Sequence, residues 1–230
     1  MAKAKILVVD DEEDILELLE YNLVREDYEV IRAVEGEEAI KIAQQERPDM
    51  ILLDIMLPSV DGVEVCRRIR ALPNGAHPYI VFLTARSEEY SEIAGLEAGG
   101  DDYITKPIKP RLLLTRINAV LRRDRKPTRT QETPTVLRIG ELEINREQYV
   151  VRNGATRLNL PKKEFELLVF LASHPGKVFS REVLLEKVWG TNVHVVDRTI
   201  DVHIRKLRGK IGKHWIQTVQ GVGYKFAEPI

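Results

Sequence analysis

Short runs of apolar residues alternate with helix-length segments through the first half of the chain, and this alternation limits the fold more than any other feature. Three runs are apolar throughout, as strands buried on both faces of a sheet usually are: Ile6-Leu7-Val8-Val9, Met50-Ile51-Leu52-Leu53 and Ile80-Val81-Phe82-Leu83. Because right-handed helical crossovers join parallel strands, this order predicts an α/β fold: a five-stranded, doubly wound parallel sheet with helices on both faces.

The ends of the predicted strands carry residue types suited to chemistry. The five strands are Lys5–Val9, Glu29–Ala33, Met50–Asp54, Ile80–Thr84 and Tyr103–Thr105. The first is followed by Asp10-Asp11, the third and fourth end at Asp54 and Thr84, and Lys106 follows the fifth. Since the carboxyl ends of parallel strands meet at one edge, we expect these side chains to converge.

Three converging carboxylates repel one another and raise each other's pKa values, so a cation has to offset them. The candidates are Lys106 and a hard divalent ion with oxygen ligands, for which Mg²⁺ is the best match. A carboxylate that faces Mg²⁺ and a lysine is suited to attack on phosphorus, which gives an aspartyl phosphate. Taken singly, each acid is more simply a turn residue, and Asp10-Asp11 alone could cap a helix; the joint pattern favours chemistry.

Charge divides the chain into two halves. Residues 1–122 carry 15 Lys and Arg against 24 Asp and Glu, while residues 123–230 carry 20 against 12. Residues 123–135 between them contain no Leu, Ile, Val or Phe and have nothing to bury. We therefore predict an acidic domain over 1–122, a flexible linker over 123–135 and a basic domain over 136–230.

The basic half has a different pattern. Short strands are predicted over Val136–Ile144, Tyr149–Arg152 and Thr156–Leu160, followed by helices over Pro161–Ser173, Ser180–Val188 and Asp197–Ile211 and a closing hairpin over 215–227. Three helices that end in a hairpin indicate an α+β winged helix. In the third helix, Ile200, Ile204, Leu207 and Ile211 form an apolar stripe, and the remaining surface is basic. Such a helix suits a DNA major groove, although a solvated basic face would look the same.

The acidic half resembles the receiver domain of bacterial two-component response regulators over about residues 4–123, a flavodoxin-like fold. The motifs that carry the resemblance are Asp10-Asp11, Asp54-Ile55-Met56-Leu57-Pro58 with Asp61-Gly62, Thr84-Ala85, and Gly100-Asp101-Asp102-Tyr103-Ile104-Thr105-Lys106-Pro107. Gly100 is a departure, since the family usually has alanine there; we expect a slightly looser loop and no loss of function.

The resemblance implies a role for each matched residue. Asp54 would be the phosphoacceptor, and Asp10, Asp11, Asp54 and the Met56 carbonyl would bind Mg²⁺. Lys106 would pair with the phosphoryl group and Thr84 would hydrogen-bond to it. Tyr103 would be the switch aromatic that turns inward, with the small Ala85 leaving it room, and Pro107 would follow a cis peptide bond.

The basic half resembles the winged-helix effector domain of the OmpR/PhoB family over roughly residues 136–228. The motifs are Leu160-Pro161-Lys162-Lys163-Glu164-Phe165-Glu166-Leu167-Leu168, Ser180-Arg181-Glu182-Val183-Leu184, Val188-Trp189-Gly190, the run from Asp197 to Arg208, and Thr218-Val219-Gln220-Gly221-Val222-Gly223-Tyr224. The DNA-facing set implied is Arg198, Thr199, Val202, His203, Arg205, Lys206, Arg208 and Gln220. Gln220 replaces a wing arginine, so we expect a weaker minor-groove contact or a different target.

Two partner surfaces follow from the same resemblance. The loop over 189–198 is similar to that of the family's phosphate-regulon member, where it contacts the sigma factor of RNA polymerase; Trp189, Gly190 and Val195 are the residues implied, although Trp189 could equally be core. Family members also dimerise through the fourth helix, fifth strand and fifth helix, a pattern that Asp101, Asp102, Arg116 and Arg123 fit. Glu92 and Leu112 do not fit it, which removes one salt bridge and predicts a weaker dimer of the same geometry.

Together these features predict a phosphorylation-switched transcription factor. A sensor histidine kinase would phosphorylate Asp54, the receiver would dimerise, and two effector domains would bind tandem half-sites in promoter DNA. A phosphohydrolase is the rival class, but it would need an acid where Met56 stands. A third possibility is a regulator that dimerises without phosphorylation.

The remaining composition fits a cytoplasmic protein. Cys66 is the single cysteine, the apolar start is too short for a signal peptide, and no uncharged run reaches the length of a membrane helix. The five histidines show no metal-ligand spacing with Cys66, so no zinc site is expected. We expect the protein to be a phosphoacceptor and not an enzyme, with at most slow self-dephosphorylation.

Overall fold

Residues 4–72, 78–85, 89–125, 135–190 and 198–227 are described in the computed structural model of the chain. They divide into two units, Met1–Arg122 and Arg123–Ile230. For Ala85, Ala119, Arg198 and residues 89–93 and 122–125, the backbone is described and the side chain is not.

The first unit is built on a five-stranded parallel sheet. Its strands are β1 (Lys5–Val9), β2 (Glu29–Ala33), β3 (Met50–Asp54), β4 (Tyr79–Ala85) and β5 (Asp102–Lys106), in the spatial order β2-β1-β3-β4-β5. The helices are α1 (Glu13–Val24), α2 (Gly36–Glu46), α3 (Gly62–Ala71), α4 (Glu89–Ala98) and α5 (Pro110–Arg125). This confirms the predicted doubly wound α/β fold.

Helices cover both faces of the sheet. On one face, the alternate residues Ile6 and Val8 of β1 form a common core with Leu16 and Leu19 of α1 and Ile117 of α5. Successive residues of a strand point to opposite faces, and both faces of the sheet are covered, which explains why the apolar runs of the central strands are continuous. Helices α2, α3 and α4 pack side by side against the other face.

The second unit is an α+β fold with two antiparallel sheets. The first sheet contains β6 (Val136–Ile139), β7 (Leu142–Asn145), β8 (Val150–Asn153) and β9 (Thr156–Leu158), in that order. The helices α6 (Lys162–Ala172), α7 (Arg181–Val188) and α8 (Arg198–Ile211) follow. The second sheet contains β10 (Phe179–Ser180), β11 (Ile216–Val219) and β12 (Gly223–Phe226), with β12 in the centre. The β11–β12 hairpin is the predicted wing.

Three details differ from the sequence prediction. The stretch predicted as strand over Val136–Ile144, with the turn residue Gly140 inside it, is the β6–β7 hairpin; Gly140 adopts a positive φ of 55° and turns the chain. Strand β10 was not predicted; two residues carry no periodic signal, and only pairing with β12 defines it. Helix α5 continues to Arg125, three residues into the predicted linker, and residues 126–134 lie outside the described residues.

None of the helices in the described part of the chain combines the length and the apolar composition that crossing a bilayer requires.

Candidate functional site

The carboxyl edge of the parallel sheet holds a cluster of three acids and one lysine. Lys106 Nζ lies 2.8 Å from Asp54 Oδ2, 3.0 Å from Asp10 Oδ2 and 3.0 Å from Glu12 Oε1. The side chains of Asp10 and Asp54 are 0% and 6% exposed, whereas Glu12 is open to solvent. Three of the residues predicted from the strand ends, Asp10, Asp54 and Lys106, therefore converge as expected, with the lysine at the centre.

Electrostatics in this cluster follow from burial and pairing. Burial raises the pKa of Asp10 above its ordinary value, and the Lys106 hydrogen bond only partly opposes this effect. Burial alone lowers the pKa of Lys106, but its hydrogen bonds with Asp54, Asp10 and Glu12 outweigh burial and raise that pKa overall. The lysine is thus held in its charged form beside the acids.

The acid cluster fits a divalent cation. One carboxylate oxygen from each of Asp10, Glu12 and Asp54 lies within 4.8 Å of the others. Asp10 Oδ2 is buried, and Lys106 Nζ lies 3.0 Å from it as an ion-pair partner. A buried carboxylate oxygen beside two further carboxylates suits a hard cation such as Mg²⁺. Asp11, the other acid of the predicted metal set, is exposed, and Glu12 lies beside Lys106 instead; the predicted metal ligands stay a prediction.

The loop after β3 sets the position of Asp54. The Met56 N–H donates to Asp54 Oδ1 at 3.1 Å, and the Asp61 side chain caps α3 by accepting from the Glu64 N–H at 2.8 Å. A Cβ at Gly62 would lie 2.0 Å from the Asp54 carbonyl oxygen, so only glycine lets α3 begin this close to β3. The Asp61-Gly62 pair of the sequence therefore shapes the site without touching its carboxylates.

The remaining receiver residues lie on the neighbouring strands. Thr84 near the end of β4 is 1% exposed, Tyr103 of β5 is 6% exposed, and the Lys106–Pro107 peptide bond is cis, as predicted. The side chain of Ala85 lies outside the described residues. The switching roles of Thr84 and Tyr103 stay predictions.

The predicted dimer residues are partly engaged inside the chain. Asp101 is 0% exposed and accepts from Arg70 Nη2 at 2.7 Å and from the Ile80 N–H at 2.9 Å. Its assignment to an intermolecular salt bridge is therefore corrected to an internal one, because a fully buried carboxylate cannot reach a partner subunit. Asp102 and Arg116 are paired at 3.8 Å, and Arg116 Nη1 also donates to the Tyr103 carbonyl. The Arg123 and Glu92 side chains lie outside the described residues.

In the second unit, the predicted core stripe of α8 is confirmed. Ile200, Ile204, Leu207 and Ile211 are all buried, and Arg205 on the opposite side is exposed. The exposed Gln220 is at the tip of the wing. The side chain of Arg198 and the whole of residues 191–197, with Val195 and the predicted cap Asp197, lie outside the described residues.

The prediction of a DNA-facing His203 is wrong. His203 is 0% exposed and its ring lies 5.1 Å from that of Trp189, because it stands three residues after Ile200 and four before Leu207, on the core side of α8. Neither ring nitrogen has a hydrogen-bond partner among the described residues. Burial, together with the nearby Lys206, Lys163 and Lys210, lowers the pKa of His203 to about 3.

Other members of the predicted DNA-facing set are also engaged or covered. Thr199 and Val202 are 2% and 8% exposed, so neither presents an open surface in this structure. Lys206 Nζ lies 3.5 Å from Glu164 Oε1. Arg208 donates to the Ile216 carbonyl at 2.9 Å and to Thr218 Oγ1 at 2.7 Å, which ties it to the wing. Their spacing on the helix indicated a basic face, but it could not show which cations have internal partners.

Trp189 is core, as the alternative interpretation of the sequence held. It is 2% exposed, and Lys163 Nζ lies 5.4 Å from its ring centroid. The assignment of the Trp189 ring to a polymerase contact is therefore corrected, since the ring is enclosed. Gly190 follows with a φ of 108°, which glycine adopts without strain.

Sequence reasoning also missed two charged residues at these sites. Arg70 on α3 anchors Asp101, and Glu164 on α6, with no exposed surface, pairs with Lys206 and Lys210. In the sequence, Arg70 and Glu164 each stand among other charged residues, and such a run is typical of the solvent-facing side of a helix. Only the packing of separate elements shows that they are buried.

Comparison with known proteins assigns both halves of the chain. The family described as Response regulator receiver domain matches residues 6–118, and the family described as Transcriptional regulatory protein, C terminal, matches residues 155–226. These matches are to regulators rather than to phosphohydrolases, the enzyme class that the acid cluster alone left open.

Similar proteins span nearly the whole chain. It is 45% identical over 235 residues to the alkaline phosphatase synthesis transcriptional regulatory protein PhoP of Bacillus subtilis, covering 98% of this chain and 97% of that protein. It is 43% identical over 224 residues to the phosphate regulon transcriptional regulatory protein PhoB of Rhizobium meliloti, covering 96% and 97%.

Two solved structures extend the comparison to the fold. A mutant of RitR superposes with a TM-score of 0.76 at 30% identity, covering 97% of this chain and 99% of that one. The Thermotoga maritima response regulator DrrB, an OmpR/PhoB homolog, gives a TM-score of 0.51 at 35% identity, covering 99% and 100%. With a receiver domain and a DNA-binding transcriptional regulatory domain in one chain, the protein belongs to the OmpR/PhoB family of two-component response regulators and regulates transcription.

Proposed function

We propose that Asp54 accepts a phosphoryl group from a sensor histidine kinase and that the phosphorylated protein dimerises on promoter DNA. The observation that carries the proposal is the 2.8 Å contact between Lys106 Nζ and Asp54 Oδ2 at the carboxyl edge of the sheet. A lysine held in its charged form beside a nearly buried carboxylate is suited to receive the additional negative charge of a phosphoryl group.

In the proposed reaction, a carboxylate oxygen of Asp54 attacks the phosphorus of a phosphohistidine on the kinase. The new P–O bond replaces the P–N bond. The electron pair stays on the histidine nitrogen, and because the other ring nitrogen carries a proton, the kinase histidine leaves as a neutral imidazole. Lys106 exchanges its contacts with the acids for a contact with the phosphoryl oxygens. Thr84, next along the edge, donates a hydrogen bond to the same group. Water attack on the acyl phosphate then returns free Asp54 slowly, with release of inorganic phosphate.

The acid cluster would hold Mg²⁺ through Asp10, Asp54 and the Met56 carbonyl, with the exposed Asp11 as a further donor. The chemistry that Mg²⁺ supplies when bound is neutralisation of charge on the carboxylates and on the transferring group. The burial of Asp10 and the approach of its carboxylate to that of Asp54, within 4.8 Å, support this assignment.

Phosphorylation is proposed to act through Thr84 and Tyr103 on the surface formed by α4, β5 and α5. Asp102 and Arg116 are paired there inside one chain, with side chains 6% and 11% exposed, so a pair across a two-fold axis requires phosphorylation to open this contact. Asp101 takes no part, because Arg70 holds it. We expect a dimer with fewer intermolecular ion pairs than the family pattern has, and therefore a weaker one.

The second unit is proposed to place α8 in the major groove and the wing near the minor groove of tandem half-sites. Arg205 on α8 and Gln220 at the wing tip are exposed, which supports their proposed contacts with DNA. Gly190 and Val195 remain the proposed contacts with the sigma factor of RNA polymerase, and the protein is proposed to act in the cytoplasm.

Two measurements test the proposal. Phosphate-affinity gel electrophoresis after incubation with acetyl phosphate and Mg²⁺ should show a shifted band for the wild type and for Asp27→Asn, an exposed acid of the same unit, but none for Asp54→Asn. Sedimentation velocity with beryllofluoride should show a change from monomer to dimer for the wild type and Asp27→Asn, but none for Asp54→Asn. A phosphorylated protein that stays monomeric would contradict the dimer step alone, and a shifted band in Asp54→Asn would contradict the phosphoacceptor.

A further inference from the structure

Four elements of the second unit meet at the ring of Tyr224. Tyr224 belongs to β12, is 5% exposed, and pairs with Phe179 of β10 and Thr218 of β11. Its hydroxyl donates to Asp201 Oδ1 of α8 at 2.7 Å. The wing and the DNA-reading helix are therefore joined by a direct side-chain hydrogen bond.

Two arginines complete the junction. Arg181, the first residue of α7, donates from Nε to Asp201 Oδ1 at 2.8 Å, and its guanidinium carbon lies 5.2 Å from the Tyr224 ring centroid. Arg208 of α8 lies 5.5 Å from the same centroid and donates to the Ile216 carbonyl and the Thr218 hydroxyl of β11. Each contact fixes α8 against the wing or against α7, so the angle between helix and hairpin is set by side chains.

Asp201 is an unfavourable residue for DNA affinity taken alone. It is the single acid in the sequence of α8, and its side chain is 44% exposed. A negative charge on a helix that approaches phosphates reduces attraction to any DNA sequence. Its hydrogen bonds with Arg181 and Tyr224 give the charge a structural role, because they join α8 to α7 and to β12.

We propose that Asp201 and Tyr224 are positioning residues for DNA recognition, which hold α8 and the wing at the angle that lets both fit one site. The inference rests on the proposed function, in which both elements contact DNA. Non-specific binding depends chiefly on the number of nearby cations and tolerates changes of angle, whereas specific binding requires both elements to engage together. The two residues therefore set the ratio of specific to non-specific affinity.

For Asp201→Asn, the proposal and a simple charge effect predict opposite changes in the affinity for the specific duplex. If Asp201 contributed only charge, its neutralisation would strengthen binding to every duplex. If Asp201 positions α8, the variant binds a scrambled duplex as well as the wild type does or better, and binds the specific duplex less well. The specificity ratio should fall about tenfold, in line with the loss of hydrogen bonds to a charged group.

The experiment uses full-length protein treated with beryllofluoride and Mg²⁺. A duplex that the wild type enriches from a random library is compared with a scrambled duplex of equal composition, by fluorescence anisotropy. Tyr224→Phe keeps the ring and removes only the hydroxyl, so it should also lower the ratio. Asp201→Glu retains the carboxylate and should keep most of the ratio. Glu141→Gln removes one charge from an exposed turn elsewhere in the unit and should leave the ratio unchanged.

The outcomes separate the inference from the function beneath it. If folded Asp201→Asn and Tyr224→Phe keep the wild-type ratio within twofold, or lose affinity equally for both duplexes, the inference is overturned. If Asp201→Asn does not fold, as judged by the fluorescence of Trp189 and Trp215, the Tyr224→Phe ratio decides. If the wild type enriches no sequence at all, the proposed DNA recognition itself has failed.

Discussion

Arg70 Nη2 lies 2.7 Å from Asp101 Oδ2, and the two side chains are 9% and 0% exposed. The same guanidinium donates to the Gly99 carbonyl at 2.9 Å and to the Pro78 carbonyl at 2.8 Å. Arginine is needed for this arrangement because its planar group offers several donors at fixed angles. The pair connects α3 with the turn between α4 and β5, where the sequence had suggested only an exposed dimer contact.

Replacing Arg70 should destabilise the first unit. In Arg70→Ala the Asp101 carboxylate stays buried without its cation, and we expect the free energy of unfolding to fall by about 3–5 kcal/mol. Circular dichroism in urea measures this change. The double variant Arg70→Ala with Asp101→Asn should recover part of the loss, since the uncompensated charge is gone. A single variant as stable as the wild type would show that the pair contributes nothing.

The buried His203 should make the second unit sensitive to acid. Its folded pKa of about 3 lies below the unfolded value of about 6.5. Between these two values the unfolded state binds the proton more readily, so stability is lost as pH falls below 6.5, by about 2 kcal/mol at pH 5. Urea unfolding followed by tryptophan fluorescence reports this unit, because both tryptophans belong to it.

The variant His203→Leu should unfold with a weaker pH dependence over this range and should be at least as stable at pH 7, because it removes ring nitrogens that have no hydrogen-bond partner among the described residues. His174→Asn, at an exposed position, is the matched control and should keep the wild-type dependence. An identical pH profile for His203→Leu and the wild type would contradict the assignment.

Glu164 should stabilise the second unit through α8. Its buried carboxylate lies 2.7 Å from Lys210 Nζ and 3.5 Å from Lys206 Nζ. Glu164→Gln removes the buried negative charge that faces both ammonium groups, and we expect the free energy of unfolding to fall by about 3 kcal/mol in the same fluorescence assay. Glu186→Gln, an exposed acid on α7, should change stability by less than about 0.5 kcal/mol. Equal effects of the two variants would rule out a special role for the buried acid.

Mg²⁺ should stabilise the first unit through Asp10. At a concentration about 100 times its dissociation constant, the ion should add about 2.7 kcal/mol to the free energy of unfolding. Removal with a chelator should reverse this gain. Asp10→Asn should lose most of it, whereas Asp27→Asn should retain it. Stabilisation of Asp10→Asn by the same amount as the wild type would place the ion elsewhere.

Much of the fold could be predicted because its signals are local. The five predicted strands of the receiver agree with the structure to within one residue at each end. Three of them, β1, β3 and β4, are marked by continuous apolar runs, which are typical of strands covered on both faces. The core stripe of α8 also follows from spacing alone. Strand β10 could not be predicted, because its two residues become a strand only by pairing with β12, more than forty positions later in the chain.

The candidate site divides in the same way. Asp10, Asp54, Thr84 and Lys106 could be placed together in advance, because the carboxyl ends of neighbouring parallel strands must meet. The contact between Glu12 and Lys106 could not be predicted, since a side chain three residues beyond the end of β1 can point in many directions.

Periodicity along the chain is enough to predict the two folds, the acidic strand ends and the apolar stripe of α8. The partners of the charged groups follow from tertiary packing instead: Asp101 pairs with Arg70, Glu164 with Lys206 and Lys210, and Asp201 with Arg181 and Tyr224. Pairing of charges depends on which elements pack together in space, and residues far apart in the chain carry no local record of that packing.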